Sequence, residues 1–188
     1  MNKMKRLSTL LAASLLATLP AGSALAAAGI GIPASITIVP GLTIGSTTPL
    51  AAGSISKPAN SSTTDYLTVG IADGCVPDIS AGASLSILGT PTLGSATITG
   101  TPNAAITVTT NSNSSTKNLA GPSAMAMEIN LLEACLDAGT PVDAGVNLTG
   151  TIGAGGSSTL KIGGKFTITG THLDGTYSGS IMVMVEYE

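Results

Sequence analysis

Hydrophobic and polar residues alternate with period two over most of this chain, the periodicity of strands rather than helices. Across Gly175 to Glu188 the odd positions Ile181, Val183, Val185 and Tyr187 share one face. Met182, Met184, Glu186 and Glu188 share the other. β-branched and aromatic residues crowd the odd face, which suits a pleated surface laid on a core. The stretch from Gly29 to Ile38 alternates as cleanly, with Ile30, Ile32, Ala34, Ile36 and Ile38 on one side. Pro33 removes a backbone donor from it, and Pro40-Gly41 reads as a turn, beyond which Leu42 and Ile44 resume the alternation.

Between these two stretches the same pattern predicts strands over Leu50 to Ile55, Tyr66 to Ile71, Ser95 to Thr99, Ala104 to Thr109, Val146 to Ile152 and Leu160 to Thr169. Gly100-Thr101-Pro102-Asn103 reads as a hairpin turn, and Asp73 to Asp78 as a loop. Residues 122–139 fit both periods, because Met125, Met127, Ile129 and Leu131 alternate while Met125, Ile129, Leu132 and Leu136 form a helical stripe. The neighbouring strands favour a strand to about Leu131, followed by a helical turn carrying Cys135. About nine or ten short strands with turns every 8–12 residues imply an all-β fold, an immunoglobulin-like β-sandwich.

Lys3, Lys5 and Arg6 precede an apolar run ending in Ala24-Leu25-Ala26, the layout of a secretory signal peptide over residues 1–26. The run is too short for a spanning helix. The expected organisation is therefore a signal peptide (1–26), an N-terminal strand (27–40) and a sandwich domain (41–188). Beyond the leader only Lys57, Lys117, Lys161 and Lys165 face ten acidic residues. That excludes a nucleic-acid footprint, which needs clustered basic side chains. One Phe and three Tyr with no Trp cannot furnish the aromatic girdles of an outer-membrane barrel.

Cys75 and Cys135 make an even count in an exported chain, without a C-x-x-C pair or a neighbouring histidine. The spacing and compartment predict one structural disulfide. No catalytic constellation emerges, and no cofactor or metal is expected. The sole histidine, His172, sits in a Gly170-Thr-His-Leu-Asp-Gly175 loop and reads as a surface turn residue. Glu128 and Glu133 read as a solvated rim, and Gly153-Ala-Gly-Gly156 lacks the Lys-Ser/Thr of a phosphate loop.

One spacing carries more than composition. Gly175 stands fourteenth from the end, Ile181, Val183 and Val185 alternate, and Tyr187 is penultimate. This resembles the C-terminal signature of pilin subunits of the bacterial chaperone–usher pathway. Ala34–Pro40, Leu50–Ile55, Gly100–Val108 and Ile162–Gly179 together resemble a related family of uncharacterised exported, fimbria-like β-sandwich proteins. The resemblance implies a pilin-like fold whose last strand (Gly175, Ile181, Val183, Val185, Tyr187) borders a groove. It implies a donor strand (Ile30, Ile32, Ile36, Ile38) that fills the groove of a like subunit in a homopolymer. Its implied partners are a periplasmic chaperone and an outer-membrane usher, and its implied location is the periplasm and then the cell surface. Two other functions fit the same fold: a self-contained exported sandwich closed by its own N-terminal strand, and a carbohydrate- or receptor-binding adhesin module.

Overall fold

The computed structural model describes residues 35–188. The expected signal peptide and the expected donor positions Ile30 and Ile32 lie outside the described residues. The chain falls into two units, Met1–Thr37 and Ile38–Glu188. In the described part of the first, Ile36 is 87% exposed.

The second unit is all-β, with thirteen strands numbered in chain order. In the larger sheet β1 (Thr43–Thr48), β6 (Gly94–Thr99), β12 (Ser157–Thr169), β3 (Thr64–Ala72) and β4 (Val76–Ala81) are hydrogen-bonded in that order. β9 (Ala126–Leu136) also pairs with β12 and carries β8 (Lys117–Ala120) and β10 (Val142–Asp143). The smaller sheet runs β11 (Leu148–Thr151), β7 (Ala105–Thr110), β13 (Val183–Tyr187). A short ribbon joins β2 (Ile55–Ser56) to β5 (Ser86–Ile87).

Alternation explains why these strands stay in register. In β12 the even residues Leu160, Ile162, Phe166 and Ile168 are buried, while Lys161, Lys165, Thr167 and Thr169 reach solvent in part. A slip of one residue would turn that whole set outward. Side chains of both sheets meet in one core, with Leu67, Val69, Ile98, Leu132 and Leu160 from the larger sheet and Ile106 and Val108 from the smaller. This is a β-sandwich.

Several elements differ from the sequence reading. The helical turn expected around Cys135 is absent: β9 continues as strand through Leu136, and its pairing with β12 shifts by one residue between Gly163 and Lys165. Leu131 is the extra residue, with φ +48° and an exposed side chain. A bulge therefore satisfies the local excess of apolar residues that had imitated a helical stripe. Gly100 to Asn103 is not a hairpin turn. It is a corner, because β6 belongs to the larger sheet and β7 to the smaller. Strand β4 begins at Val76, inside the expected loop, and Leu50–Ile55 contributes only the bridge Ala51–Thr92 and the start of β2.

Cys75 and Cys135 form a disulfide with a Cα–Cα distance of 5.7 Å. Both are fully buried. Gly74 and Cys75 adopt positive φ in the turn after β3, where the Cys75 sulfur meets that of Cys135 on β9.

Candidate functional site

Two strand edges lie open on one side of the sandwich. Strand β1 pairs only with β6, and β13 pairs only with β7. Strands β6 and β7 are joined by the 100–104 corner, which brings the Thr43 end of β1 and the Tyr187 end of β13 together. From that corner β1 runs away while β13 runs toward it. The two edge strands are thus antiparallel neighbours in different sheets.

The backbone of β13 shows which groups its open edge presents. Asn111 N–H donates to Met182 O at 2.7 Å, and Glu188 N–H donates to Ala105 O at 3.1 Å. Even-numbered residues therefore bond to β7. In an antiparallel ladder the odd ones, Val183, Val185 and Tyr187, aim their N–H and C=O groups the other way. The same odd residues pack on the core with half-buried side chains, whereas Met182 and Met184 are exposed.

Behind this edge the sandwich opens into a groove of about 780 Å³. Its floor is the core itself, with Leu119, Met127, Ile129, Phe166 and Ile168. One wall is the end of β1 with the chain after it, Thr47–Ile55, and the other includes the strap from His172 to Gly179 with Ile181 and Val183. Apolar walls with unpaired backbone beside them suit an extended apolar segment better than a polar small molecule.

The strap is held from several directions. Lys57 Nζ donates to His172 O at 2.8 Å and pairs with Asp174 Oδ1 at 2.9 Å. Thr169 N–H donates to His172 Nδ1 at 2.8 Å, so the other ring nitrogen carries the proton and reaches Ala126 O at 3.2 Å. The Tyr177 ring meets that imidazole edge-on, with centroids 5.4 Å apart. His172 is thus buried, not the surface turn residue expected from its polar neighbours. Both its nitrogens are occupied by backbone groups, and it holds no free base. Gly175 has φ +143°, and a Cβ there would fall 2.5 Å from Pro122 Cγ. Regular strand begins only at Val183, so Gly175 belongs to the strap and not to the last strand.

At the corner Tyr187 joins three chain segments. Its hydroxyl accepts from Thr101 N–H at 2.8 Å and donates to Pro40 O at 2.9 Å. The chain therefore enters the domain beside the end of β13. Upstream of that clasp Ile38 is 88% exposed and residues 35–42 form no strand.

The solvated rim expected of Glu128 and Glu133 holds only for the first. Glu128 is exposed, while Glu133 reaches over Gly163 to accept from Ile71 N–H at 2.6 Å. Burial pushes the Glu133 carboxyl above its usual range against the pull of that hydrogen bond, and Asp78 and Asp143 add to the rise. Asp65 moves the other way, held low by the backbone N–H groups of Ser84 and Tyr66. Among the described residues no three His, Cys, Asp or Glu side chains cluster to hold a metal, and no helix is long and apolar enough to cross a membrane.

Of the positions singled out in the sequence, Gly175, Ile181 and Val183 line the groove, while Val185 and Tyr187 lie further along β13 and outside its lining. Ile36 and Ile38 stand exposed, and the cysteines lie elsewhere, bridging the β3–β4 turn to β9. The floor residues Met127 and Phe166 were legible only as strand interior, because which core residues underlie a gap depends on sheet order. A family model described as Domain of unknown function (DUF4402) matches residues 42–187. No curated protein and no solved structure matches the chain.

Proposed function

The chain belongs to the DUF4402 family, and we propose that it is a structural subunit of a bacterial surface fibre, exported and assembled by strand donation between like copies. The observation that carries this reading is the groove between the open edges of β1 and β13, together with the exposure of Ile36 and Ile38. In this reading the fold is an immunoglobulin-like, pilin-like sandwich short of one strand. Ile30, Ile32, Ile36 and Ile38 of one subunit supply it to the next. The protein acts by assembly and not by catalysis.

The magnitudes favour a long-lived contact. Burying the four isoleucines contributes roughly 6–12 kcal/mol at ~1.5–3 each. An added strand also satisfies the outward N–H and C=O groups of β13, which is the main-chain part of strand addition. Association costs about 4–15 kcal/mol, so the contact persists chiefly through slow release. A periplasmic chaperone and an outer-membrane usher fit this scheme as partners that cover the groove before assembly.

The test is electrophoresis in detergent without boiling. The mature chain should run as a ladder that collapses to monomer on heating, and removal of residues 28–38 should abolish the ladder. A ladder that survives the deletion would show that other surfaces drive association.

A further inference from the structure

The strap that forms one wall of the groove is fastened differently at its two ends. At the far end the backbones of Ala120 and Ser178 exchange hydrogen bonds, at 2.8 Å from Ala120 N–H and 2.9 Å from Ser178 N–H. At the near end the fastening is the His172 side chain. Its ring stands between the end of β12 and the start of β9, accepting from Thr169 N–H through Nδ1 and donating from Nε2 to Ala126 O. The residue is 9% exposed and lines the groove.

Only the neutral ring fits this arrangement. Nδ1 must keep its lone pair for an amide hydrogen that cannot turn away. A second proton would sit on Nδ1, and two donors would then face each other across 2.8 Å. A turn of the ring toward the Thr169 hydroxyl, 3.1 Å from Nδ1, still leaves that amide without an acceptor.

The charged groups around the ring do not compensate the added charge. Lys57, itself positive, holds the His172 carbonyl, and the Asp174 carboxylate is bonded to Lys57 in an exposed position. From β9 the ring meets the Ala126 carbonyl, while Glu128 is exposed; β12 presents Thr169. Tyr177 adds an aromatic ring packed edge-on.

We propose that His172 is an acid-released latch on the groove: uptake of a second proton frees the strap over residues 172–177 and speeds exchange of the strand held there. The proposal rests on the reading of the groove as a strand acceptor and adds its regulation. Because a proton is taken up on release, the latch is closed at higher pH and opens as pH falls. Histidine is the side chain whose charge ordinarily changes between about pH 5 and about pH 8, so the device answers to mild acid. The Ala120–Ser178 pair carries no titratable group and stays fastened, so the strap swings on it. Tyr177 OH donates to Leu173 O at 3.0 Å, which keeps the moving piece together. An ion pair as exposed as Lys57–Asp174 contributes too little to hold the strap alone.

The test reads amide exchange in residues 27–188 at about pH 7.5 and about pH 5, corrected for the intrinsic rate at each. The Thr169 amide, bonded to Nδ1, and the His172 amide, bonded to Thr169 O, should exchange about tenfold faster in acid, as loss of one or two hydrogen bonds predicts. Amides of Ala120, Ser178, Leu67 and Leu160 should keep their protection. A change at Glu133 would show instead at the Ile71 amide, which that carboxylate accepts. His172→Gln keeps an acceptor and a donor without a titrating ring, and should remove the pH dependence. Nitrogen-15 shifts of the wild-type imidazole need no variant: Nδ1 should be bare and Nε2 protonated at the higher pH, and ring and Thr169 amide should change with a shared midpoint. Equal Thr169 exchange at both pH values, pH dependence retained in a folded His172→Gln, or a ring that titrates without response at Thr169 would each overturn the inference. Release of a labelled 28–40 peptide separates the two readings. A latch that opens while the peptide binds at neither pH leaves the strap device standing and sinks the strand-acceptor reading. A peptide that binds, and leaves at one rate at both pH values, keeps that reading and sinks the latch.

Discussion

Replacing Tyr187 by Phe tests the clasp at the corner with little change in volume. The substitution keeps the ring and removes only the hydroxyl. That hydroxyl accepts from Thr101 N–H at 2.8 Å, donates to Pro40 O at 2.9 Å and lies 3.3 Å from Thr101 Oγ1. Two good hydrogen bonds at ~0.5–1.5 kcal/mol each give a loss of about 1–3 kcal/mol. The low end applies if water reaches the freed Thr101 N–H, which is only partly buried. Urea unfolding should show a lower midpoint with an unchanged slope, since the surface exposed on unfolding hardly alters. For a domain of this size the melting temperature should fall by roughly 2–4 °C per kcal/mol. Exchange at the Thr101 amide should rise more than at core amides. Tyr177→Phe is the matched control, because its hydroxyl makes one exposed bond to Leu173 O at 3.0 Å. An unchanged midpoint together with an unchanged Thr101 amide would refute the clasp.

Three further outcomes are expected. The carboxyl of Glu133 is raised by burial, so the neutral form is favoured in the folded protein: its contribution is present below the usual carboxylate range and is lost as pH rises through the raised value. Relative to wild type, Glu133→Gln should therefore gain stability between acid and neutral pH, as read from urea midpoints at each pH; a difference independent of pH would contradict the assignment. Cys135→Ala opens a loop of 60 residues and should cost roughly 4 kcal/mol, measured as the shift in unfolding free energy against the oxidised wild type. Gly175→Ala must place a methyl against Pro122 at φ +143° and should destabilise by about 1–3 kcal/mol, with exchange rising first in the strap; wild-type stability would show that the strap tolerates a shift.

The sequence and the structure agree where local periodicity and tertiary placement coincide. The two faces of the last strand were readable from Ile181 to Glu188 because burial there depends only on alternation. The Cys75–Cys135 bridge followed from the even cysteine count and the expectation of export. Other features needed the fold. The β9 bulge at Leu131 imitates a helix because one inserted residue turns a period of two into a stripe of three and four. The 100–104 corner looks like a hairpin, since a turn between two alternating runs does not reveal that its strands enter different sheets. His172 looked solvated among Gly, Thr and Asp, yet the backbone groups of Thr169 and Ala126 occupy both its ring nitrogens. The groove was implied only by resemblance to pilins. Its floor is assembled from β8, β9 and β12, which no local pattern places under one gap.

The central claim is that the outward edge of β13 receives a strand of the N-terminal type. The most direct measurement is residue-resolved hydrogen exchange at β13 in residues 27–188 carrying Ile36→Asp and Ile38→Asp, with and without a synthetic peptide spanning residues 28–40. The amides of Val183, Val185 and Tyr187 point away from β7 and should become protected when the peptide is added. Those of Met184 and Glu186, already bonded to β7, should change little. Peptide binding that leaves Val183, Val185 and Tyr187 exchanging as before, or no binding at all, would contradict the account.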